Sequence, residues 1–300
     1  MTAPVTTLAP PPAPAGPPPA LSPGARSATR VVIVAAAVVV VVGVVAALGV
    51  ASWGLSTFRV AADNQTLPAT TRSVVIDTAD VPVAVRIMAD PAADQPRVSL
   101  RLVNSARSGE HRLVVSDGPD GVRVTLEGQT SSLLGWARGG EISLTLPPDQ
   151  ARRMTVRTEQ DTGVVFADAD LDRLIARTTD GAVLLRGAAR SVEVHTVHGD
   201  VLSRDPLSVT ERFVATTTNG DISVDFRDPA PRVMDATSRD GDITIGLPGS
   251  GPYLVRAQSG ESSRVRVPET TNPASAVAEV TARSVSGDVE VASGERRGYR

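Results

Sequence analysis

The feature that most constrains the fold of this sequence is a unit of about 20 residues that recurs through its second half. Each copy contains an apolar residue, a short Ser/Thr-rich stretch, a glycine, often an aspartate, and then alternating apolar residues, as in VATTTNGDISV at 214–224. The glycines that mark the seven copies are Gly163, Gly181, Gly199, Gly220, Gly241, Gly260 and Gly287, with spacings of 18, 18, 21, 21, 19 and 27 residues. Such a period is typical of repeat architectures in which stacked units share one core, because a single unit cannot bury enough apolar surface alone.

Alternation of apolar and polar residues extends this pattern toward the N-terminus. From Ser73 onward, segments such as VSLRLV at 98–103, VRVTL at 122–126 and ISLTL at 142–146 alternate with a period of two residues. This period indicates strands with one buried face. The sequence therefore predicts an all-β, solenoid-like stack of repeats, of the β-helix or β-roll type, over residues 73–292.

The residues around the glycines are suited to tight turns, since Asn219-Gly220 and Asp240-Gly241 are pairs that tolerate positive φ. An aspartate follows the glycine in four copies, at Asp200, Asp221, Asp242 and Asp288. If the copies stack in register, these carboxylates lie about 4.8 Å apart along one edge. They must then turn into solvent, cap backbone N–H groups or bind cations. Because each unit contributes one aspartate, far fewer than in calcium-binding β-rolls, we predict turn capping and no metal site.

Hydroxyl residues also occupy equivalent positions in the copies. They are Thr178, Thr196, Thr217, Ser238 and Ser284. We predict that they form hydrogen-bonded ladders between neighbouring units.

The Gly-Asp-Ile/Val motifs resemble a known bacterial family. Those at 199–201, 220–222, 241–243 and 287–289, with ISLTLPPD at 142–149 before the first repeat, are similar to the putative-adhesin domain also called toastrack. The resemblance covers most of residues 73–292 and implies a β-repeat domain of envelope proteins, some of them linked to cell-envelope stress responses. The roles it implies are adhesion or an assembly platform outside the membrane, and it supplies no catalytic residues.

The N-terminal part of the chain has a different character. Residues 1–30 begin with a Pro-rich stretch and are predicted to be a disordered cytoplasmic head. This head is either a spacer or a docking site for a protein module that binds proline-rich segments. Residues 31–53 carry no charge and would span about 34 Å as a helix, enough to cross the hydrocarbon core of a lipid bilayer. The Arg26 and Arg30 pair before this segment favours a cytoplasmic N-terminus and an extracellular C-terminal domain.

A cleaved signal peptide is the competing interpretation of the apolar segment. Gly49-Val50-Ala51 has the small residues of a cleavage site, but the apolar run exceeds the roughly 7–15 residues of a signal sequence. We therefore predict an uncleaved single-pass anchor in the cell membrane. Residues 54–72 are predicted to be a linker and residues 293–300 a disordered tail.

Composition excludes several classes of function. The chain has no cysteine, so disulfides, thiolate metal sites and cysteine nucleophiles are impossible. The net charge is −3, without a run of one sign, which argues against nucleic acid as a partner. Aromatic residues make up 3%, which argues against stacking platforms for sugars or bases.

An enzyme is the alternative hypothesis. Asp168, Asp170 and Asp172 alternate in ADADLDR, so in a strand they would share one face, as in β-helix enzymes that cleave envelope polysaccharide. Such enzymes also need a cleft and aromatic side chains, and Trp136 is the only tryptophan outside the apolar segment. No sequence motif of a common nucleotide, zinc-protease or serine-hydrolase site occurs. We predict no catalytic residue.

Two further features are candidate binding sites. His195 and His198 form the tightest histidine pair; the other histidine is His111. In a strand their i, i+3 spacing points them to opposite faces, which is poor geometry for one metal ion. The segment Leu133-Leu134-Gly135-Trp136 is either an apolar contact for a partner or membrane surface, or a buried loop anchor.

Together these patterns predict a non-enzymatic, membrane-anchored β-repeat module. It needs no cofactor, and it acts as an adhesin-like or assembly scaffold for envelope proteins, with a link to envelope stress implied by the resemblance. The sequence leaves its oligomeric state open.

Overall fold

A computed structural model describes residues 58–105, 112–127 and 139–294, of which nearly all regular structure is β-strand. The strands are β1 (Phe58–Thr66), β2 (Ser73–Ala79), β3 (Ala84–Ala89), β4 (Arg97–Ser105), β5 (Arg112–Gly118), β6 (Gly121–Glu127), β7 (Gly139–Leu146), β8 (Thr155–Thr162), β9 (Val165–Asp168), β10 (Leu171–Asp180), β11 (Val183–Arg186), β12 (Ala188–His198), β13 (Val201–Ser203), β14 (Ser208–Asn219), β15 (Ile222–Asp225), β16 (Val233–Asp240), β17 (Ile243–Leu247), β18 (Tyr253–Gln258), β19 (Ser263–Arg266), β20 (Ala278–Ser286) and β21 (Val289–Ser293). One helical turn, α1 (Pro148–Ala151), precedes β8, and a 3-10 turn (Pro273–Ser275) precedes β20.

The strands form two sheets, and from β8 onward the chain alternates between them. Sheet A has 11 strands in the order β1-β4-β7-β3-β9-β11-β13-β15-β17-β21-β19, and sheet B has 10 in the order β18-β20-β16-β14-β12-β10-β8-β2-β6-β5. One strand of sheet B, a corner and one strand of sheet A make a coil. From β8 to β21, like strands of neighbouring coils pair in parallel. This arrangement confirms an all-β stack of parallel coils.

The coils do not stack in chain order at either end. Coil β2–β3 lies between β6–β7 and β8–β9, and coil β20–β21 lies between β16–β17 and β18–β19. The copy around Gly260 is therefore the last coil of the stack, and the copy around Gly287, although later in the chain, lies between it and the copy around Gly241. The 27-residue spacing between these glycines leaves a connector at 267–277 that is long enough to return the chain past β18.

Antiparallel strands occur only at the N-terminal end of the described stack. β4 pairs antiparallel with both β1 and β7, and β5 pairs antiparallel with β6. Residues 58–66 therefore form a strand inside the region 54–72 that was predicted to be a linker. Their sequence, FRVAADNQT, lacks strict apolar alternation, so the alternation criterion could not detect them.

Small aliphatic side chains from both sheets fill a continuous core. Val156, Val194 and Ile222 are fully buried, and polar neighbours alternate with them along each strand. The largest buried aromatic residue in the middle coils is Phe213, whose ring meets that of Phe226 edge-on at 5.1 Å. Aliphatic packing of this kind explains how the described stack is built with few aromatic residues.

Several sequence predictions fall outside the described residues. These are the head at 1–30, the apolar segment at 31–53, His111, Leu133–Trp136 and most of the tail at 293–300. Within the described ranges, no helix is both long and apolar enough to span a bilayer.

Candidate functional site

The glycines of the repeat line one corner of the stack, between the sheet B and sheet A strands of each coil. Each corner approaches the preceding one so closely that no side chain fits between them. A Cβ on Gly181 would lie 1.7 Å from the carbonyl oxygen of Gly163, and one on Gly241 would lie 2.1 Å from that of Gly220. Gly163, Gly181, Gly220, Gly241 and Gly287 have φ between +143° and +154°. Gly199 and Gly260 are not among the positive-φ glycines, but a Cβ added to them would lie 1.8 Å and 1.9 Å from the carbonyl oxygens of Gly181 and Val285. The lack of space therefore requires glycine in every copy, and the backbone angle requires it in five of the seven.

Hydroxyl groups inside the corner hold the glycine backbones of neighbouring coils together. Thr217 Oγ1 donates to the carbonyl oxygen of Gly199 at 3.1 Å, Ser238 Oγ to that of Gly220 at 3.1 Å, and Ser284 Oγ to that of Gly241 at 2.7 Å. In these coils the hydrogen bonds of the predicted ladder run from each hydroxyl to a backbone carbonyl of the neighbouring coil. The buried hydroxyl of Thr178 has no hydrogen-bond partner among the described residues.

The aspartates that follow the glycines form a second column on the outside of the same corner. Each Oδ1 accepts from the backbone N–H of the aspartate in the next coil: Asp200 from Asp221 at 2.9 Å, Asp221 from Asp242 at 2.8 Å, and Asp242 from Asp288 at 2.8 Å. In the terminal coil, Ser262 donates to Asp288 through both its backbone N–H and its hydroxyl. The carboxylates thus cap turn N–H groups. Among the described residues, no group of three or more acidic or histidine side chains is arranged to hold a metal ion.

The aspartate column predicts a graded mutational effect. Asp221→Ala removes the acceptor for the Asp242 N–H, so we expect the free energy of unfolding to fall by about 1 kcal/mol. Asp221→Asn keeps a side-chain oxygen at the same place and should cost less than half as much. Urea unfolding followed by circular dichroism measures both changes, and equal losses in the two variants would show that the hydrogen bond is not the cause.

The three aspartates of the enzyme hypothesis lie around the opposite corner and do not share one face. Asp168 ends β9, Asp170 lies in the corner, and Asp172 belongs to β10. Each carboxylate has a partner in a neighbouring coil. Asp168 forms an ion pair with Arg186 at 3.6 Å, and Asp170 accepts a hydrogen bond from the backbone N–H of Ala188 at 3.1 Å. Asp172 accepts two hydrogen bonds from Arg190, at 2.8 and 3.0 Å. One shared face would need a continuous strand, and the strand breaks at the join between two coils, between Asp168 and Leu171.

The electrostatics around Asp172 oppose general acid catalysis by this residue. The hydrogen bond and the positive charge of Arg190 lower the pKa of Asp172, and the charge of Arg173 acts in the same direction. A general acid in a glycosidase needs a raised pKa instead. The corner is therefore suited to joining coils, since Arg190 also binds Glu211 of the following coil at 2.7 Å.

The lowered pKa of Asp172 predicts a pH-dependent contribution to stability. A carboxyl group whose pKa is lower in the folded state stabilises the fold above its unfolded pKa, and the effect is lost as pH falls through the folded value. Arg190→Gln should therefore lower the urea midpoint at pH 7, and the deficit should be smaller near pH 2. A deficit of the same size at both pH values would assign the effect to packing of the arginine stem.

The two histidines face different carboxylates. His195 Nε2 lies 3.0 Å from Glu193 Oε1 on the outer face of sheet B, and His198 Nδ1 lies 3.0 Å from Asp180 Oδ1 in the neighbouring coil. Hydrogen bonds from His195 and Arg173 lower the pKa of Glu193 against the opposing effect of its burial. The structure does not bring the two rings together on one site.

Sequence reasoning missed the arginine–carboxylate contacts that join coils at the corner opposite the glycines. The signal was present in the spacing, because Asp172 and Arg190 are 18 residues apart, and Arg190 and Glu211 are 21 apart. These separations equal the repeat spacings. Residues one period apart are neighbours in a solenoid, so opposite charges at that distance predict ion pairs between coils.

Comparison with known proteins confirms the resemblance found in the sequence. Residues 150–292 match the family model described as Toastrack DUF4097. No curated protein matches the sequence. Among solved structures, the chain is similar to a putative cell adhesion protein from Clostridium sporogenes ATCC 15579, with 7% identity, a TM-score of 0.38 and coverage of 78% of this chain and 100% of that one.

Two further solved structures show similarity over the same share of the chain. One is a putative adhesin from Bacteroides fragilis NCTC 9343, with 12% identity, a TM-score of 0.40 and coverage of 78% of this chain and 97% of that one. The other is a putative adhesin from Parabacteroides distasonis ATCC 8503, with 8% identity, a TM-score of 0.42 and the same two coverages.

Proposed function

We propose that this chain, whose residues 150–292 carry the toastrack repeat, is a non-enzymatic, membrane-anchored display module. Residues 31–53 anchor it as a single span, residues 1–30 lie in the cytoplasm, and the β-repeat domain lies outside. Its work is to present a rigid surface to other envelope proteins as an adhesin-like or assembly scaffold, within an envelope stress response.

The observation that carries this proposal is the construction of the two corners. At one corner, glycine backbones, hydroxyls and aspartates bond each coil to the next. At the other corner, Arg190 joins Asp172 to Glu211 across three successive coils. Four carboxylates of these coils thus join one coil to the next, which favours a structural scaffold over a catalyst; they are Asp172, Asp200, Asp221 and Asp242.

The proposed topology is tested by labelling cysteines in a chain that has none of its own. Thr179 is exposed on the β-repeat domain, and Ala15 lies in the proposed head. In intact cells, a membrane-impermeant maleimide should label Thr179→Cys and not Ala15→Cys, and both should react after the cells are permeabilised. Labelling of Ala15→Cys in intact cells would contradict the proposed topology, and release of the labelled domain into the medium would show cleavage.

The scaffold role is tested at the same position. A benzophenone-maleimide attached to Thr179→Cys in intact cells should give discrete covalent adducts with envelope proteins on irradiation. Adducts only with lipid, together with release of sugar from purified cell wall by the full chain, would favour the enzyme hypothesis instead.

A further inference from the structure

We propose that the terminal coil, β18–β19, binds an extended acidic segment of another protein, which adds to sheet A as a strand beside β19. This inference rests on the proposed scaffold function, because it specifies the chemistry of a partner. It concerns one end of the stack rather than either of its broad faces.

The first observation is an open sheet edge. β19 is the last strand of sheet A and pairs only with β21 among the described strands. The corresponding edge of sheet B is partly closed, because the backbone N–H of Tyr253 donates to Pro268 at 2.8 Å and that of Thr270 donates to Tyr253 at 2.9 Å. Since an unpaired edge presents free backbone donors and acceptors, β19 is the better template for an added strand.

The second observation is an exposed end of the core. The inward-facing side chains of the terminal coil, Val255, Ala257 and Val265, are half-buried. Their register partners in the next coil, Val280, Ala282 and Val291, are at most 1% exposed. Terminal repeats of solenoids normally close the core with a polar outer face. This coil leaves apolar surface that an added strand would cover.

The third observation is the charge along the edge. Arg264 and Arg266 alternate with Val265 and lie on the outer face of sheet A, in register with Glu290 and Ala292. Arg266 approaches Glu290 at 3.6 Å while 62% of its side chain stays exposed. Arg264 has no ion-pair partner among the described residues. An added strand with carboxylates opposite these arginines would gain favourable cross-strand pairs.

These charges identify the source of the strand as another protein. Residues 1–57 contain no Asp or Glu, and the other segments outside the described ranges contain only Glu110 and Glu295. The chain therefore lacks an undescribed acidic segment of its own. A second copy that paired antiparallel through β19 would place like-charged arginines close together, which is unfavourable. A segment that alternates apolar and acidic residues matches the open edge of β19, the half-buried Val265 and the two arginines together.

The experiment uses the full chain in detergent micelles and rhodamine-labelled peptides, with binding followed by fluorescence anisotropy. The peptide TDVEVDT should bind at least tenfold more tightly than TKVKVKT. R264E/R266E should reverse that order, whereas Arg239→Glu, a matched change at an exposed arginine of sheet B, should leave it unchanged. A form of TDVEVDT that is N-methylated at alternate residues should lose binding, because it cannot complete the strand pairing.

Each alternative result overturns the proposal. Equal binding of TDVEVDT and TKVKVKT would show that Arg264 and Arg266 do not select an acidic partner. Equal binding of the N-methylated peptide would show a simple electrostatic patch without strand addition. A dimer in sedimentation that TDVEVDT dissociates would identify a second copy as the natural occupant. None of these results bears on topology, so labelling at Thr179→Cys tests the anchored display module separately.

Discussion

Gly181→Ala should destabilise the protein by about 3–5 kcal/mol. The new Cβ would lie 1.7 Å from the carbonyl oxygen of Gly163, and the residue has φ of +143°. The obstacle is backbone, which cannot rotate away as a side chain could. Relief would require the two coils to separate, and that would weaken the hydrogen bond from Gly163 N–H to the Asp180 carbonyl, now 2.9 Å long. The free energy of unfolding in urea, followed by circular dichroism, measures the effect.

Gly249→Ala is the matched control for this change. Gly249 is exposed, and a Cβ there would have its nearest neighbour, Ser293 Oγ, at 3.9 Å. We expect a change of less than about 0.5 kcal/mol. A loss at Gly181→Ala no larger than that of the control would mean that the corners are not stacked as described.

Phe213→Ala should cost about 3–5 kcal/mol, the usual range for a fully buried aromatic residue. Its ring is buried in the middle of the stack and packs edge-on against Phe226. Because each coil contacts only its neighbours, a cavity at this place weakens the joins to β12 and β16 together. The unfolding midpoint and hydrogen exchange in β12 and β16 measure the loss.

Phe166→Ala provides the comparison on the outer face of sheet A. There Arg86 lies 5.2 Å and Arg204 6.0 Å from the ring centroid. Removal of these exposed cation–π contacts should cost about 1 kcal/mol or less. Equal losses at the two phenylalanines would contradict the assignment of inward and outward positions in the strands.

Much of the fold could be predicted from the repeat in the sequence, because the residues that form each corner lie close together along the chain. Glycine, aspartate and alternating valines at each copy predict a corner between two strands and one buried face. The order of the coils could not be predicted in this way. Whether the copy around Gly287 lies before or after that around Gly260 depends on how a connector of ordinary loop composition crosses β18, and no periodicity in the sequence records it.

The candidate site could likewise be predicted only in part. The column of Asp200, Asp221, Asp242 and Asp288 follows from register alone once the copies are aligned. The acceptor of the Ser238 hydroxyl, a glycine carbonyl of the neighbouring coil, depends on how closely two corners approach. Likewise, the break between Asp168 and Asp172 could not be seen in an alternating pattern. It separates carboxylates that a continuous strand would have placed together.

The most direct test of the account is a pair of engineered disulfides that reports the order of the coils. Thr237 and Arg283 are register partners in β16 and β20, whereas Thr237 and Gln258 are separated by β20. Two strand spacings are about 9.6 Å, too far for a disulfide, which needs Cα atoms within about 7 Å. Under mild oxidation, T237C/R283C should cross-link and T237C/Q258C should not. The opposite pattern would place β18 beside β16 and contradict the stacked, inserted arrangement on which the account depends.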